Sequence, residues 1–328
     1  MNKVRVGFVG VGGIAGVHLE NISKNNHAEI IAVCDIKEES AKEKGMQYNA
    51  SFYTDFDAML ENESLDAIFV CVPPFAHGDI EEKIVEHGIH LLVEKPLGLD
   101  LENVQRKAKV IKDSSVICTV GYCLRYLDTV AKAKEYLKNK TIAMVRGHYI
   151  TSFVPTPWYR EMEKSGGQLV EQSTHTLDLM RYLAGDIENV YANMSLQVLS
   201  DIPNIDIPDV TSVNVTFSSG AVGHLDSSFI QDDHRSGIEI LGKGFRILID
   251  GVDLSIVEKE TTITYKSAVD FYQEQDNRFI EAIIKGDKTI LLSNYEDAVK
   301  TLAATLASNK SNELGLPISL SSILTNTI

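Results

Sequence analysis

The sequence predicts an α/β protein in two parts: a doubly wound parallel sheet, then an α+β domain with a large, open-faced and mainly antiparallel sheet. The first third alternates short apolar strands with helices, which is typical of a parallel sheet covered on both faces. After Gly121 long strands dominate, and several alternate polar and apolar residues as Val213–Phe217 does, which indicates one covered face. Because 328 residues is long for a single core, we expect domains at 1–121 and 122–328.

The elements are predicted from periodicity and from turn residues. In the first part the predicted strands are Lys3–Val9, Glu29–Asp35, Ala67–Val72, His90–Val93 and Val116–Val120. The helices between them are Gly13–Ser23, Lys37–Lys44, Ala76–His87 and Asp100–Lys112. In the second part the predicted strands are Thr141–Ser152, Glu188–Ser200, Val210–Phe217, Ala221–Ile230, Ser236–Leu241, Phe245–Asp250 and Thr261–Tyr265. The helices of this part are Tyr126–Asn139, Gly167–Leu183, Phe271–Lys285 and Asn294–Ser308, and Ser218–Gly220 is a hairpin turn.

The composition limits the classes of partner that are expected for this protein. A formal net charge of -15 repels nucleic acid and anionic membranes, so neither is expected as a partner. No apolar run approaches the roughly 18 residues of a membrane helix. The four cysteines form no CxxC pair, which favours reduced, structural thiols. The chain starts directly with strand residues, so we expect no signal peptide and a cytoplasmic location.

A glycine-rich turn follows the first strand. Gly10, Gly12 and Ala15 occupy the small positions of the G-x-G-x-x-G/A fingerprint, with Gly13 and Ile14 between them. The first small residue allows the turn, the second lets a pyrophosphate approach the backbone, and the third allows close helix packing. Free N–H groups at the helix start favour the anion. The alternative is a tight turn that binds nothing.

An acidic residue strengthens the dinucleotide hypothesis. Asp35 ends the second strand about 20 residues past Ala15, where a carboxylate accepts a hydrogen bond from the ribose 2′-hydroxyl. Because this charge repels a 2′-phosphate, NAD is favoured over NADP, although Lys37 could soften the preference. Asp35 could also cap the following helix, and the two roles are compatible.

Candidate proton-handling groups lie further on. Lys95 follows the strand His90–Val93, at the edge where open α/β sheets bind ligands, and a cis peptide to Pro96 is possible. Glu171, His175 and Asp178 have helical spacing and would share one face. The alternatives are an ion-paired surface lysine and a solvated polar face. One histidine among carboxylates is too few for a metal site, so no metal is expected.

Together with these features, further motifs show a resemblance to a known family. They are Pro73-Pro74 followed by His77, Glu94-Lys95-Pro96, Gly121-Tyr122 with Arg125-Tyr126, and Gly166-Gly167 through Asp178. Over nearly its whole length the chain resembles the glucose-fructose oxidoreductase, inositol dehydrogenase and rhizopine catabolism (Gfo/Idh/MocA) family. The resemblance implies a dinucleotide domain followed by an open-faced sheet that often mediates oligomers, so a homodimer or homotetramer is expected.

The resemblance also implies roles for individual residues. Lys95 matches the family lysine that touches the substrate hydroxyl and the nicotinamide ribose, and His175 matches the acid–base histidine. Glu171 stands where the family usually has an aspartate that binds substrate or orients the histidine, and its side chain is one methylene longer. The expected cofactor contacts are Gly10, Gly12, Gly13, Ile14, Asp35, Pro73, His77, Glu94, Lys95, Arg125, Trp158 and Arg160. Tyr159 and Asp178 are expected substrate contacts, and Tyr159 or Arg160 could replace the family's arginine near the nicotinamide.

The predicted activity is hydride transfer between NAD(P) and a secondary alcohol or ketone of a sugar, inositol or related polyol. A histidine suits the proton transfer because it titrates near neutral pH, and a lysine cation stabilises a developing alkoxide. The lysine could be the base instead. The rival functions are an NAD-dependent glycosidase of the same fold, a non-catalytic dinucleotide-binding regulator, and reduction of a non-sugar compound such as a dihydrodiol or a tetrapyrrole.

Overall fold

The computed structural model describes residues 3–324, and within them the chain forms two compact units. The first comprises the chain up to Gly98 together with Asn103–Cys123 and Asp270–Ala298. The second comprises Leu99–Glu102, Leu124–Val269 and the chain from Val299 onward. Residues 270–298 therefore pack with the first unit although they follow the strands of the second. The division of the chain into domains at 1–121 and 122–328 stays a prediction.

The first unit is built on a six-stranded parallel sheet in the order β3-β2-β1-β4-β5-β6. Its strands are β1 Val4–Val9, β2 Ala28–Cys34, β3 Ser51–Tyr53, β4 Ala67–Val70, β5 His90–Val93 and β6 Cys118–Val120. The intervening helices are α1 Gly13–Ser23, α2 Glu38–Tyr48, α3 Phe56–Asn62, α4 Ile80–Glu86 and α5 Leu101–Lys112. This order is that of a doubly wound dinucleotide-binding sheet, and it confirms the predicted parallel sheet.

The core of the first unit joins its sheet to helices from both ends of the chain. Phe8 and Phe69 stack on neighbouring strands with ring centroids 4.8 Å apart. Phe279, in the later helix Phe271–Lys285, meets Phe69 edge to face at 5.5 Å. Leu19 and Ile22 of α1 are fully buried in the same cluster. The apolar face of α1 and the late helix therefore fix the position of the glycine turn that precedes α1.

The second unit carries a nine-stranded sheet in the order β14-β13-β12-β11-β7-β10-β9-β8-β15. Its strands are β7 Ile142–Ile150, β8 Ile187–Ser195, β9 Val210–Phe217, β10 Val222–Ser228, β11 Arg235–Gly242, β12 Phe245–Asp250, β13 Asp253–Glu258, β14 Thr261–Tyr265 and β15 Ile318–Ser319. Within this sheet, β7 and β10 are the one parallel pair among the described strands, and the other neighbours pair in antiparallel fashion. The remaining helices of the chain are α6 Asp128–Leu137, α7 Met162–Ser165, α8 Gln168–Glu171, α9 Thr174–Ala184, α10 Phe271–Lys285, α11 Tyr295–Leu314 and α12 Ser321–Leu324.

One face of the nine-stranded sheet is covered, as the alternation predicts. Along β9 the residues Val213, Val215 and Phe217 are buried, while Asn214 and Thr216 are exposed. Helix α9 packs on the buried face against β7 and β11. Gly147 of β7 makes this close approach possible, because a Cβ there would lie 2.7 Å from the Met180 sulfur.

Several predicted elements are wrong or incomplete. The single helix predicted over Gly167–Leu183 is interrupted between α8 and α9. There the Gln168 carbonyl accepts the N–H groups of both Gln172, at 2.8 Å, and Ser173, at 2.9 Å. Strands β3, β13 and β15 and helices α3, α7 and α12 were not predicted, and each of them is short. In residues 3–324 we find no helix long and apolar enough to cross a membrane.

Candidate active site

The glycine turn lies at the carboxyl end of β1 and leads into α1. Gly10 has φ +80°, and a Cβ there would lie 2.7 Å from the Cys71 carbonyl oxygen, so only glycine fits without strain. Gly12 and Gly13 are exposed, and a Cβ at either would meet nothing within 4 Å. Among the described residues no side chain caps α1. Open space before free N–H groups fits a dinucleotide pyrophosphate.

Asp35 is hydrogen-bonded to the glycine turn. Its Oδ2 accepts the Val11 N–H at 3.0 Å, and its Oδ1 accepts the Lys37 N–H at 2.9 Å. The N-cap position of α2 is Lys37, so Asp35 shapes the approach to that helix without occupying the cap itself. The carboxylate is half-buried, and each oxygen keeps a lone pair for a ribose hydroxyl.

Lys95 follows β5 at the same edge of the sheet, and its peptide bond to Pro96 is cis. The Lys95 side chain is partly exposed, whereas Glu94 before it is buried. The Glu94 carboxylate lies 3.1 Å from Nε2 of His18. Sequence reasoning missed His18; the one available signal is a histidine on the apolar face of α1. The Glu94 carboxylate therefore points into the protein. Its expected contact with the cofactor stays a prediction.

His77 lies in a buried charged cluster with Glu81 and Lys107. Its Nδ1 is 2.6 Å from Oε1 of Glu81, and Lys107 Nζ donates to Oε2 at 2.6 Å. Burial raises the pKa of Glu81, but the charges and hydrogen bonds of His77 and Lys107 outweigh it and lower the pKa below its usual value. Both ring nitrogens of His77 are buried. Pro73 directly precedes the short helical turn Pro74–Ala76. Pro73 and His77 stay predicted cofactor contacts.

In the second unit the helix break separates two of the candidate site residues, Glu171 and His175. Glu171 ends α8, and His175 is the second residue of α9. Both side chains are partly exposed. The predicted continuous helical face through Glu171 and His175 is therefore wrong in detail, because the turn at Gln172 and Ser173 sets their relative orientation.

Asp178 and Arg125 are bound to each other. Arg125 Nε donates to Asp178 Oδ2 at 2.7 Å, and its NH2 group donates to Oδ1 at 2.5 Å. The Thr301 hydroxyl adds a third donor at 2.7 Å. Asp178 is 2% exposed and Arg125 is 3% exposed. The contacts expected from them with substrate and cofactor stay predictions, and the geometry places both side chains inside the second unit.

The segment Trp158–Arg160 forms a short helical turn. Tyr159 is buried, and its hydroxyl donates to Oε1 of Gln172 at 2.8 Å. Burial raises the pKa of Tyr159 well above its usual value, and the Glu171 charge adds to this. The Arg160 guanidinium donates to the Pro155 and Pro203 carbonyls. Trp158 and Arg160 are both partly exposed, and their expected contacts with the cofactor stay predictions.

Comparisons with known proteins identify the family of this chain. Residues 4–122 match the model of the oxidoreductase family with an NAD-binding Rossmann fold. Residues 130–247 match the model of the GFO/IDH/MocA C-terminal domain. The chain belongs to the Gfo/Idh/MocA family of oxidoreductases, and its first unit is an NAD-binding domain.

Individual relatives cover almost the whole chain. A myo-inositol 2-dehydrogenase of Thermotoga maritima is 28% identical, over 98% of this chain and 100% of its own length. A scyllo-inositol 2-dehydrogenase (NAD(+)) of Bacillus subtilis is 27% identical over 97% of each. A solved structure of a probable dehydrogenase from Thermotoga maritima superposes with a TM-score of 0.84 at 26% identity, covering 98% of this chain and 100% of that one.

Proposed function

We propose that this protein is a dehydrogenase that oxidises a secondary alcohol of an inositol or a related polyol with NAD. The observation that carries the proposal is the shared edge of the first sheet, where the glycine turn after β1, Asp35 after β2 and Lys95 after β5 all lie at carboxyl ends of parallel strands. The similarity to two inositol dehydrogenases supports the substrate class. NAD supplies the hydride acceptor when it is bound.

The chain's own residues supply binding and proton handling. The N-terminus of α1 would hold the pyrophosphate, and Asp35 would hold the adenosine ribose. We assign His175 as acid–base for the substrate hydroxyl, since an imidazole titrates near neutral pH. The Lys95 ammonium stabilises the developing alkoxide. Glu171 orients His175 or contacts the substrate. Lys95 as the base is the alternative assignment.

Replacement of His175 tests the mechanism. His175→Ala should lower turnover by about 10²- to 10⁴-fold, the usual contribution of a positioned acid–base group, while the Kd for NADH stays unchanged. Near-wild-type turnover would remove His175 from the mechanism and leave Lys95 as the candidate base. NADH binding is measured separately by titration, because His175 is not among the expected cofactor contacts.

We also propose that two copies of this chain associate through the open face of the nine-stranded sheet. A shallow groove on that face is lined by Met144, Tyr191, Asn214 and Val222, among others, and three of these are exposed apolar or aromatic side chains. Such an exposed apolar patch suits an isologous partner. Light scattering should give a dimer or tetramer mass, and Val222→Glu should shift it toward the monomer; a monomeric wild type would contradict this.

A cytoplasmic location stays a prediction, supported by four buried free thiols.

A further inference from the structure

We infer that His18 and Asp276 are positioning residues for Lys95, which they reach through the carboxylate of Glu94. The inference rests on the proposed function, because it presumes that Lys95 contacts the substrate. All four residues lie in the first unit.

The His18 ring is fully buried between two carboxylates. Its Nδ1 lies 2.8 and 2.9 Å from the two carboxylate oxygens of Asp276, and its Nε2 lies 3.1 Å from Oε1 of Glu94. Only the imidazolium form carries a proton on both ring nitrogens. Burial lowers the pKa of His18, but the charges and hydrogen bonds of Asp276 and Glu94 outweigh it and raise the pKa to about 10. At neutral pH the ring is therefore a buried cation.

The Glu94 carboxylate is held on several sides. Its Oε1 faces His18, and its Oε2 accepts the backbone N–H of Lys95 at 3.1 Å. A Cβ on Gly121 would lie 2.3 Å from Oε1, so the carboxylate rests directly on the Gly121 backbone. This fixes the first backbone atom of Lys95, and with it the direction in which the lysine side chain leaves the strand.

The network also ties Lys95 to the cofactor-binding helix. His18 lies on α1, which begins at the glycine turn, and Asp276 lies on α10, 258 residues away in sequence. Asn21 of α1 donates to Asp276 as well, at 2.8 Å. Apolar residues could fill this volume without the cost of burying charge. A charged network kept at this position instead specifies one orientation of Glu94 and of the lysine after it.

The test compares two variants with a control. His18→Gln removes the buried cation, whereas Gly121→Ala keeps every charge and displaces the Glu94 carboxylate sterically. Phe279→Leu, one turn after Asp276 on α10, weakens the same core and keeps every member of the network. For each variant we would determine a crystal structure, the Kd for NADH by calorimetry, and kcat with myo-inositol and NAD.

We expect the Lys95 side chain to be displaced in His18→Gln and in Gly121→Ala. A displacement of about 1 Å should lower kcat on the order of 10²-fold with little change in the NADH Kd, and Phe279→Leu should do neither. An unmoved Lys95 in both variants overturns the inference, as does an equal loss of kcat in the control. The proposed function fails separately, if Lys95→Ala keeps wild-type turnover, and the crystal structures then still decide the positioning.

Discussion

The Arg125 guanidinium and the Asp178 carboxylate form a bidentate ion pair that is almost entirely buried. The Thr301 hydroxyl donates to Asp178, the Arg181 guanidinium lies 3.9 Å from the same carboxylate, and the aromatic face of Tyr182 lies 4.7 Å from the Arg125 guanidinium carbon. The pair joins the short helical turn Cys123–Tyr126 to α9. It therefore holds in place the helix that carries His175, three residues before Asp178.

Removal of this pair should act on stability first. Asp178→Ala leaves the Arg125 charge buried without its carboxylate partner, so the free energy of unfolding should fall by about 3–5 kcal/mol. Urea denaturation of the variant measures the change. Asp232→Ala, at an exposed position of the same unit, is the control and should change it by about 0.5 kcal/mol or less. Intact stability with a raised substrate KM would restore Asp178 as a substrate contact.

The preference for NAD should depend on Asp35. Its carboxylate would meet the 2′-phosphate of NADP, so we expect NADH to bind at least about tenfold more tightly than NADPH, which corresponds to about 1.4 kcal/mol. Asp35→Asn keeps an acceptor oxygen for the Val11 N–H and removes the negative charge. This variant should therefore bring the dissociation constants for NADH and NADPH closer together. Titration with both cofactors measures them. Equal dissociation constants in the wild type would refute the prediction.

The variants His175→Ala and Lys95→Ala should differ in their affinity for NADH. His175→Ala should lose turnover and keep its NADH affinity, whereas Lys95→Ala should lose turnover and weaken NADH, because the lysine is expected to touch the nicotinamide ribose. Steady-state kinetics and NADH titration of the two variants make the comparison. Unchanged NADH binding by Lys95→Ala would confine the lysine to the substrate.

The buried His18 cation predicts a pH dependence of stability. The pKa of His18 is raised from 6.5 to about 10 in the folded chain, so its stabilising contribution is complete below about pH 6.5 and is lost as pH rises through 10. Wild type should therefore exceed His18→Gln in free energy of unfolding most at pH 6. This difference in free energy of unfolding should shrink toward pH 10 by on the order of 1.4 kcal/mol for each unit of pH. A gap that is constant with pH would show that His18 is neutral when folded.

Local patterns predicted much of this molecule. The glycine turn and Lys95 lie at strand ends, and strand ends can be read from apolar runs that stop. Six elements, among them α1, β5 and β9, have the predicted bounds. Their boundaries coincide with residues that change periodicity or terminate a run, which is information contained in a few neighbouring residues.

What could not be predicted depends on residues far apart in sequence. The break at Gln172 and Ser173 accompanies a hydrogen bond from the buried Tyr159 to the Gln172 side chain, and helical spacing gives no sign of it. His18 and its partner Asp276 are 258 residues apart in sequence. The one local signal of their network was therefore a polar residue on the apolar face of a helix. Tertiary contacts of this kind override local spacing.

The most direct test of the central claim is NADH formation from NAD with myo-inositol, scyllo-inositol, and a panel of other polyols, aldoses and sugar phosphates, with Lys95→Ala run beside the wild type. We predict turnover of a cyclitol or related polyol that is lost in Lys95→Ala. No NADH from any substrate, in a protein that still binds NADH, would contradict the dehydrogenase and favour a redox-neutral glycosidase or a dinucleotide-binding regulator.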